Sequence, residues 1–237
     1  MKLCLALALL STLGGSASAF SPIAVVAPTR AASSSKLAVT SGSLGCRPIG
    51  IGSAAPKTII TNGDLEQVVE TTDEWIATRT GIRQRHVLLQ DESIKDLGSQ
   101  AGKQALEMAG IDPLDIDLVI VATSTSQDLF GDATSVAAAL GCSNAVGFDL
   151  TAACSGFLFG IVTAGQFLNN PNGNTKNALV VGADALSRWV DWDDRNSCIL
   201  FGDGAGAMVL TQDADSPGVL GYAAHSNGLG AEDLNLA

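Results

Sequence analysis

Residues Phe148 to Gly160 read FDLTAACSGFLFG, and the place of Cys154 within them decides how the fold is arranged. The apolar run Ala145 to Leu150 has the length of a short buried strand. Three small residues follow, Thr151, Ala152 and Ala153. A long apolar helix is then expected from the cysteine itself to about Asn169. Cys154 thereby falls in a strand-to-helix turn at a helix N-terminus. Unpaired N–H groups and the positive end of the helix dipole favour a thiolate there. A thiolate so placed is a nucleophile for acyl groups. The competing reading is an inert structural thiol, the usual fate of a free cysteine in a core.

Outward from this segment the chain alternates strands and helices. Arg47 to Ser53 reads as a first strand and Asn62 to Glu70 as a short helix. Thr71 or Thr72 caps the next helix, with Asp73 and Glu74 in a first turn that favours carboxylates. Glu92 to Ala109 is amphipathic, with Ile94, Leu97, Ala101, Leu106 and Met108 near one side and Gly110 as its stop. Leu118 to Thr123 is a buried strand, and Asp132 to Leu140 a helix stopped by Gly141. The loop NNPNGNTKN leads to a strand over Ala178 to Ala183. Two more strands are expected over Ala205 to Leu210 and Val219 to Ala224. This alternation predicts a layered α/β fold with a mainly parallel sheet.

The chain has 237 residues, 46% hydrophobic and 16% charged, which indicates a globular protein with a substantial core. No acid occurs before Asp64. Five of the 13 basic residues (Lys2, Arg30, Lys36, Arg47, Lys57) precede it, so eight basic residues face 24 acids beyond it, a net of −16. Such a balance argues against nucleic acid as a partner. It fits an acidic protein partner poorly unless basic groups cluster locally or are supplied elsewhere. Five cysteines (Cys4, Cys46, Cys142, Cys154, Cys198) show no zinc-ligand spacing, and with two histidines no metal site is expected. The odd, sparse count fits a reducing compartment.

The first residues, MKLCLALALLSTLGGSASAF, carry Lys2, an apolar run over Leu3 to Leu10 and a small-residue end at Ala19. That is the pattern of a signal peptide over residues 1–19, too short in its apolar part to span a bilayer. Residues 20–46 are rich in Ser, Ala and Thr, carry Arg30 and Lys36 and hold no acid, which is transit-peptide composition. Together they resemble the bipartite plastid address of algae with complex plastids. A secreted protein is the alternative, weakly disfavoured because no Asn-x-Ser/Thr sequon occurs. The folded domain is expected over residues 47–237.

Four blocks carry a family resemblance: TTDEWIATRTGIRQRH (Thr71 to His86), DLTAACSGF (Asp149 to Phe157), SRWVDWDDR (Ser187 to Arg195) and FGDGAGA (Phe201 to Ala207). In order and spacing they resemble β-ketoacyl-acyl-carrier-protein synthase III, the initiating condensing enzyme of type II fatty acid synthesis. The SRWVDWDDR wording looks most like versions from photosynthetic organisms. The resemblance implies a thiolase-like fold of two similar halves, the first complete here and the second only begun. It implies that acetyl-CoA acylates Cys154, and that malonyl-acyl carrier protein is then decarboxylated and condensed, with acyl-CoA as substrate and no cofactor. It also implies a homodimer when full length.

By the same resemblance Trp75 stacks on the CoA adenine, Arg79 binds CoA phosphate, and Arg195 lies on the adenine's other side. Aromatic planes and guanidinium groups suit those tasks. Without the resemblance, Trp75 would read as a surface-helix anchor, and the arginines as partners of Asp73, Asp193 and Asp194. Arg79, Arg83 and Arg85 form the one basic cluster of the acidic domain, which suggests a phosphate-bearing ligand over a merely solvated charge run. Phe130 matches the residue that reaches across the dimer to the partner's acyl pocket, with an ordinary core phenylalanine as the alternative. FGDGAGA is expected to form a turn beside the site and implies no nucleotide.

The family's catalytic His and Asn have no match in this sequence. His86 ends the RTGIRQRH block and His225 lies in HSNGLG. The 237 residues alone are therefore expected not to complete a condensation. The alternative reading is a non-catalytic chain that only dimerises or binds CoA. A polyketide starter enzyme is disfavoured by the DEWIATRTGIR block.

Overall fold

The computed structural model describes residues 40–213, 215 and 218–230. The leader expected over residues 1–19, and residues 20–39 of the transit-like segment, lie outside the described residues. Strands and helices follow in the order β1 (Thr40–Leu44), β2 (Cys46–Ala54), β3 (Thr58–Thr61), α1 (Asn62–Leu65), α2 (Asp73–Thr80), β4 (Gln84–Val87), α3 (Ile94–Ala109), β5 (Leu118–Ala122), α4 (Ala133–Leu140), β6 (Val146–Leu150), α5 (Gly156–Leu168), β7 (Asn177–Ala185), α6 (Arg195–Cys198), β8 (Asp203–Gln212) and β9 (Val219–Ala224).

A five-stranded sheet in the order β2-β8-β7-β5-β6 forms the centre. β5 pairs in parallel with both β6 and β7, whereas β8 is antiparallel to both β7 and β2. The sheet is therefore mixed rather than mainly parallel. The β5–β6 and β5–β7 steps are joined through helices. The chain instead enters β8 by the short α6 and reverses direction.

One core cluster joins α3 and α4 to one set of strand residues, including Val119, Val121, Leu179 and Val181. A second joins Ala164 and Leu168 of α5 to the alternating set, Leu118, Ile120, Ala178 and Val180. Period-two alternation thus feeds two helical layers from one sheet. α3 lies unusually close to β2. A Cβ at Gly50 would come 2.1 Å from the Ala105 carbonyl oxygen, and one at Gly52 would come 2.1 Å from that of Ala101.

α3 begins at the Ser93 cap, whose hydroxyl accepts from Asp96 N, and ends at Gly110 with φ 66°. Thr72 caps α2. The helix expected over Asn62 to Glu70 is one turn only, because the chain leaves it after Leu65. Met108 is exposed rather than packed with Leu97 and Leu106.

Two segments differ from expectation in their surroundings. β6 was expected to be buried, but it is the sheet's edge, and Val146 is 65% exposed. An apolar run does not reveal which strand ends a sheet. β1 lies inside the segment read as transit-like. It pairs with β9 from Thr40↔Ala224 to Leu44↔Val219. Leu44 is fully buried against Gly165 of α5, where a Cβ would meet Leu44 at 2.7 Å. Among the described residues no helix is long and apolar enough to cross a membrane.

Candidate active site

The parallel strands β5 and β6 end side by side, and the chemistry-bearing loops leave from those ends. Thr151 Oγ1 donates to the Thr123 carbonyl at 2.8 Å, tying the turn after β6 to the end of β5. Ala153 then takes φ +46°, the one left-handed non-glycine conformation among the described residues. This is a sparsely populated region for a residue with a Cβ. Cys154 sits in the single 3-10 turn Ala153–Ser155, and α5 starts at Gly156 rather than at the cysteine. The left-handed step at Ala153 breaks the helical path and accounts for the later start. The first turn of α5 carries no acid, so nothing there offsets the positive end of its dipole. A Cβ on Gly156 would lie 3.3 Å from Ala122, so the helix head rests on β5.

Cys154 is exposed, which removes the buried structural reading, whereas Cys46, Cys142 and Cys198 are buried. Burial pushes those three thiols up, Cys142 to about 11. For Cys198 the nearby Asp194 adds to the rise and Arg85 opposes it. Cys154 is thus the one solvent-exposed thiol among the described residues.

Phe130 stands in the loop between β5 and α4 and is 94% exposed, which excludes the core reading. The loop is held at its base by two carboxylates. Asp132 accepts from Gln127 N at 2.8 Å, and Asp149 of β6 accepts from Asp132 N and Ala133 N, capping α4 from a neighbouring strand. Burial, then the neighbouring Asp149 and Asp128, push the Asp132 carboxyl up, while backbone N–H donors act against them.

A second cluster gathers around Trp75. The Arg79 guanidinium lies 4.2 Å and that of Arg195 4.6 Å from the Trp75 ring centroid. Arg79 is one helical turn beyond Trp75 on α2, and its Nη1 donates to the Trp75 carbonyl at 3.4 Å. Arg195 opens α6 and donates to the Glu70 carbonyl at 3.0 Å. Neither is within ion-pair distance of a carboxylate among the described residues. The alternative reading, in which these arginines pair with Asp73, Asp193 or Asp194, is therefore not met among the described residues.

The basic cluster read from Arg79, Arg83 and Arg85 divides into three. Arg79 is on Trp75, Arg83 pairs with Asp73, and Arg85 is only 5% exposed. Alternation along β4 buries Arg85 together with Val87. Among the described residues no hydrogen bond, ion pair or ring contact joins Trp75, Arg79 or Arg195 to Cys154 or Phe130. FGDGAGA is not a turn, because from Asp203 onward it is strand β8, which lies between β2 and β7. Its Asp203 accepts from Leu88 N at 2.6 Å and Ser187 N at 2.8 Å, and from the Ser187 hydroxyl, fastening β4 to the segment before α6.

The arrangement is that of a thiolase-fold protein: helices on both faces of a mixed sheet, and a cysteine in the turn that leads to the helix on one of them. Residues 148–228 match the family model of 3-oxoacyl-[acyl-carrier-protein] synthase III. The β-ketoacyl-[acyl-carrier-protein] synthase III of Trichormus variabilis is 57% identical over 194 residues, covering 82% of this chain and 58% of that protein. The crystal structure of 3-oxoacyl-[acyl-carrier-protein] synthase III from Aquifex aeolicus VF5 superposes with a TM-score of 0.68 at 46% identity, over 72% of this chain and 55% of that one. A priming β-ketosynthase from the R1128 polyketide pathway gives a TM-score of 0.69 at 39% identity, over 74% and 52%. In sequence and in fold the chain is a relative of the β-ketoacyl-[acyl-carrier-protein] synthase III proteins. It spans 58% of the length of the Trichormus relative.

Proposed function

We propose that this chain carries the acyl-accepting site of a β-ketoacyl-acyl-carrier-protein synthase III and that Cys154 is its nucleophile. The observation that carries the reading is the exposed thiol in the 3-10 turn before α5, directly after the left-handed Ala153. Cys154 Sγ attacks the carbonyl carbon of acetyl-CoA, with its own N–H as a donor to the developing oxyanion. The C–S bond to CoA breaks, and the departing CoA thiolate takes up the proton that the cysteine gave up. Trp75, Arg79 and Arg195 hold the CoA, the indole and guanidinium planes facing the adenine and the guanidinium charge facing phosphate.

The complete enzyme would then decarboxylate malonyl-acyl carrier protein and join the enolate to the acyl group on Cys154. That step needs oriented donors at the malonyl carbonyl. His86 is a poor candidate, since its Nδ1 already lies 2.6 Å from the Pro56 carbonyl oxygen. The exposed Phe130 suits a contact with a second copy of the chain. Plastid import is supported by the signal-like composition of residues 1–19, the transit-like composition of residues 20–46, and cyanobacterial relatives.

The test is intact-mass analysis of the full chain after exposure to radiolabelled acetyl-CoA. One acetyl group is expected on Cys154 and none in Cys154→Ala. Label that persists in Cys154→Ala, or that maps to Cys142 or Cys198, overturns the assignment. With malonyl-acyl carrier protein added, no acetoacetyl product is expected from these 237 residues. Losing one oxyanion-type donor already costs about 10²–10³ in rate.

A further inference from the structure

We propose that Arg85 is a positioning residue whose buried guanidinium fixes α6, and with it Arg195, at stacking distance from Trp75, and so sets the affinity for CoA. The CoA part rests on the reading of Trp75 and Arg195 given above.

Arg85 joins three segments that are distant in sequence. Its Nη1 donates to the Ile60 carbonyl of β3 at 3.2 Å. Its Nη2 donates to Asn62 Oδ1 of α1 at 2.8 Å and to the carbonyl of Ile199, the C-cap of α6, at 3.3 Å. Its buried Nε has no hydrogen-bond partner. Among the described residues no carboxylate pairs with it.

A buried cation with only neutral acceptors is a costly way to fill space, and an apolar side chain of similar volume would serve stability better. What guanidinium adds is a rigid planar fork that reaches several acceptors in a fixed geometry.

The two ends of that fork lead to the two halves of the stack. On one side, Asn62 Nδ2 donates to Asp73 Oδ1 and to the Ile82 carbonyl, each at 2.8 Å. These groups bracket α2, which carries Trp75. On the other side, Ile199 closes a helix of four residues that opens with Arg195, so little slack separates the two. Leu65, Ile76, Cys198 and Ile199 pack as one buried cluster beneath the fork, with Trp75 and Trp192 against it. Removing the fork leaves this apolar contact but frees α6 to slide on it.

The experiment uses the full chain labelled with fluorotryptophan and titrated with free CoA. The fluorine resonances of Trp75, Trp189 and Trp192 are assigned by substitution. Arg85→Met and Arg85→Lys should both move the Trp75 resonance toward its position in Arg195→Ala. Both should weaken CoA by about tenfold, the scale of one or two lost hydrogen bonds. Lysine fails because it keeps the charge and loses the fork. Asn62→Ala, which leaves the cation in place, should move Trp75 in the same direction, and it carries the test if Arg85→Met does not fold. A lower melting temperature with the Trp75 resonance unmoved would mean that Arg85 only supports the fold, and would overturn the proposal. If Trp75→Ala and Arg195→Ala bind CoA like the wild type, the CoA reading falls. In that case the Trp75 resonance still decides whether Arg85 positions Arg195.

Discussion

The corner around Trp75 and the turn around Cys154 are built by opposite means. In the corner, polar ties from Arg85 and Asn62 cross between segments beside a small sealed cluster of Leu65, Ile76, Cys198 and Ile199. The Cys154 turn has one side-chain tie, from Thr151, and a left-handed alanine. Behind it, α5 buries one face on the sheet and leaves Leu158, Phe159 and Phe167 exposed on the other. The Trp75 corner is closed by contacts within this chain. The Cys154 turn heads a helix that leaves apolar side chains exposed on its outer side. Recognition groups can be locked by local contacts, whereas the head of a central helix depends on whatever covers both its faces.

The contrast breaks most sharply in stability. Ile76→Ala opens the sealed cluster and should cost about 2–5 kcal/mol in urea unfolding. Leu158→Gln, on the open face of α5, should change stability by no more than about 0.5 kcal/mol and should reduce self-association, read by light scattering. Equal costs would mean that the open face is packed in solution.

In binding, Trp75→Ala and Arg195→Ala should each weaken CoA by about tenfold or more, the scale of a desolvated cation–aromatic contact or a charge-assisted hydrogen bond. Calorimetry that finds wild-type affinity in both would separate the corner from the ligand. Thiol reactivity gives a sharper line between the regions. Iodoacetamide at mildly alkaline pH should modify Cys154 in the folded chain. Cys142, held near 11 by burial, should react only on unfolding. Labelling of Cys142 at the same rate would remove the distinction.

The smallest effect belongs to Asp132. Its folded carboxyl holds a proton more tightly than an ordinary aspartate, so the stability it contributes is fully present below the unfolded value of 3.8 and is lost as pH rises through the raised folded value. Asp132→Asn keeps an acceptor for Gln127 N and removes the buried charge. It should raise the melting temperature modestly at neutral pH, with the gain fading as pH falls toward the unfolded value. A gain that grows on acidification would contradict the assignment.

Local patterns in the sequence carry much of this. The Thr72 cap, the Gly110 stop and the small residues before Cys154 are decided within a few positions, and they hold in the structure. Arg85, Val146 and FGDGAGA were misjudged because their surroundings come from strand order. Arg85 is covered only when β3, β4 and α6 converge, Val146 is open because β6 ends the sheet, and Asp203 begins a strand that lies between β2 and β7. The grouping of Trp75 with Arg195 is likewise invisible to spacing, since 120 residues separate them in a chain that must fold back to join them. The family resemblance supplied that pair where periodicity did not.

The pairing of β1 with β9, and of β2 with β8 from Cys46↔Gln212 onward, has a consequence for the order in which the molecule is made. The first of the described strands are among the last to find their partners. At about 5–20 residues per second, β2 waits on the order of ten seconds for β8 to emerge. During that interval α3 can reach β2, because the glycines at 50 and 52 admit its backbone at close range. Leu44 has no such early shelter and stays uncovered until α5 is formed. The slowest contacts to close are therefore those that join the two ends of the described domain, and a chaperone that holds a nascent chain would find its apolar handle there.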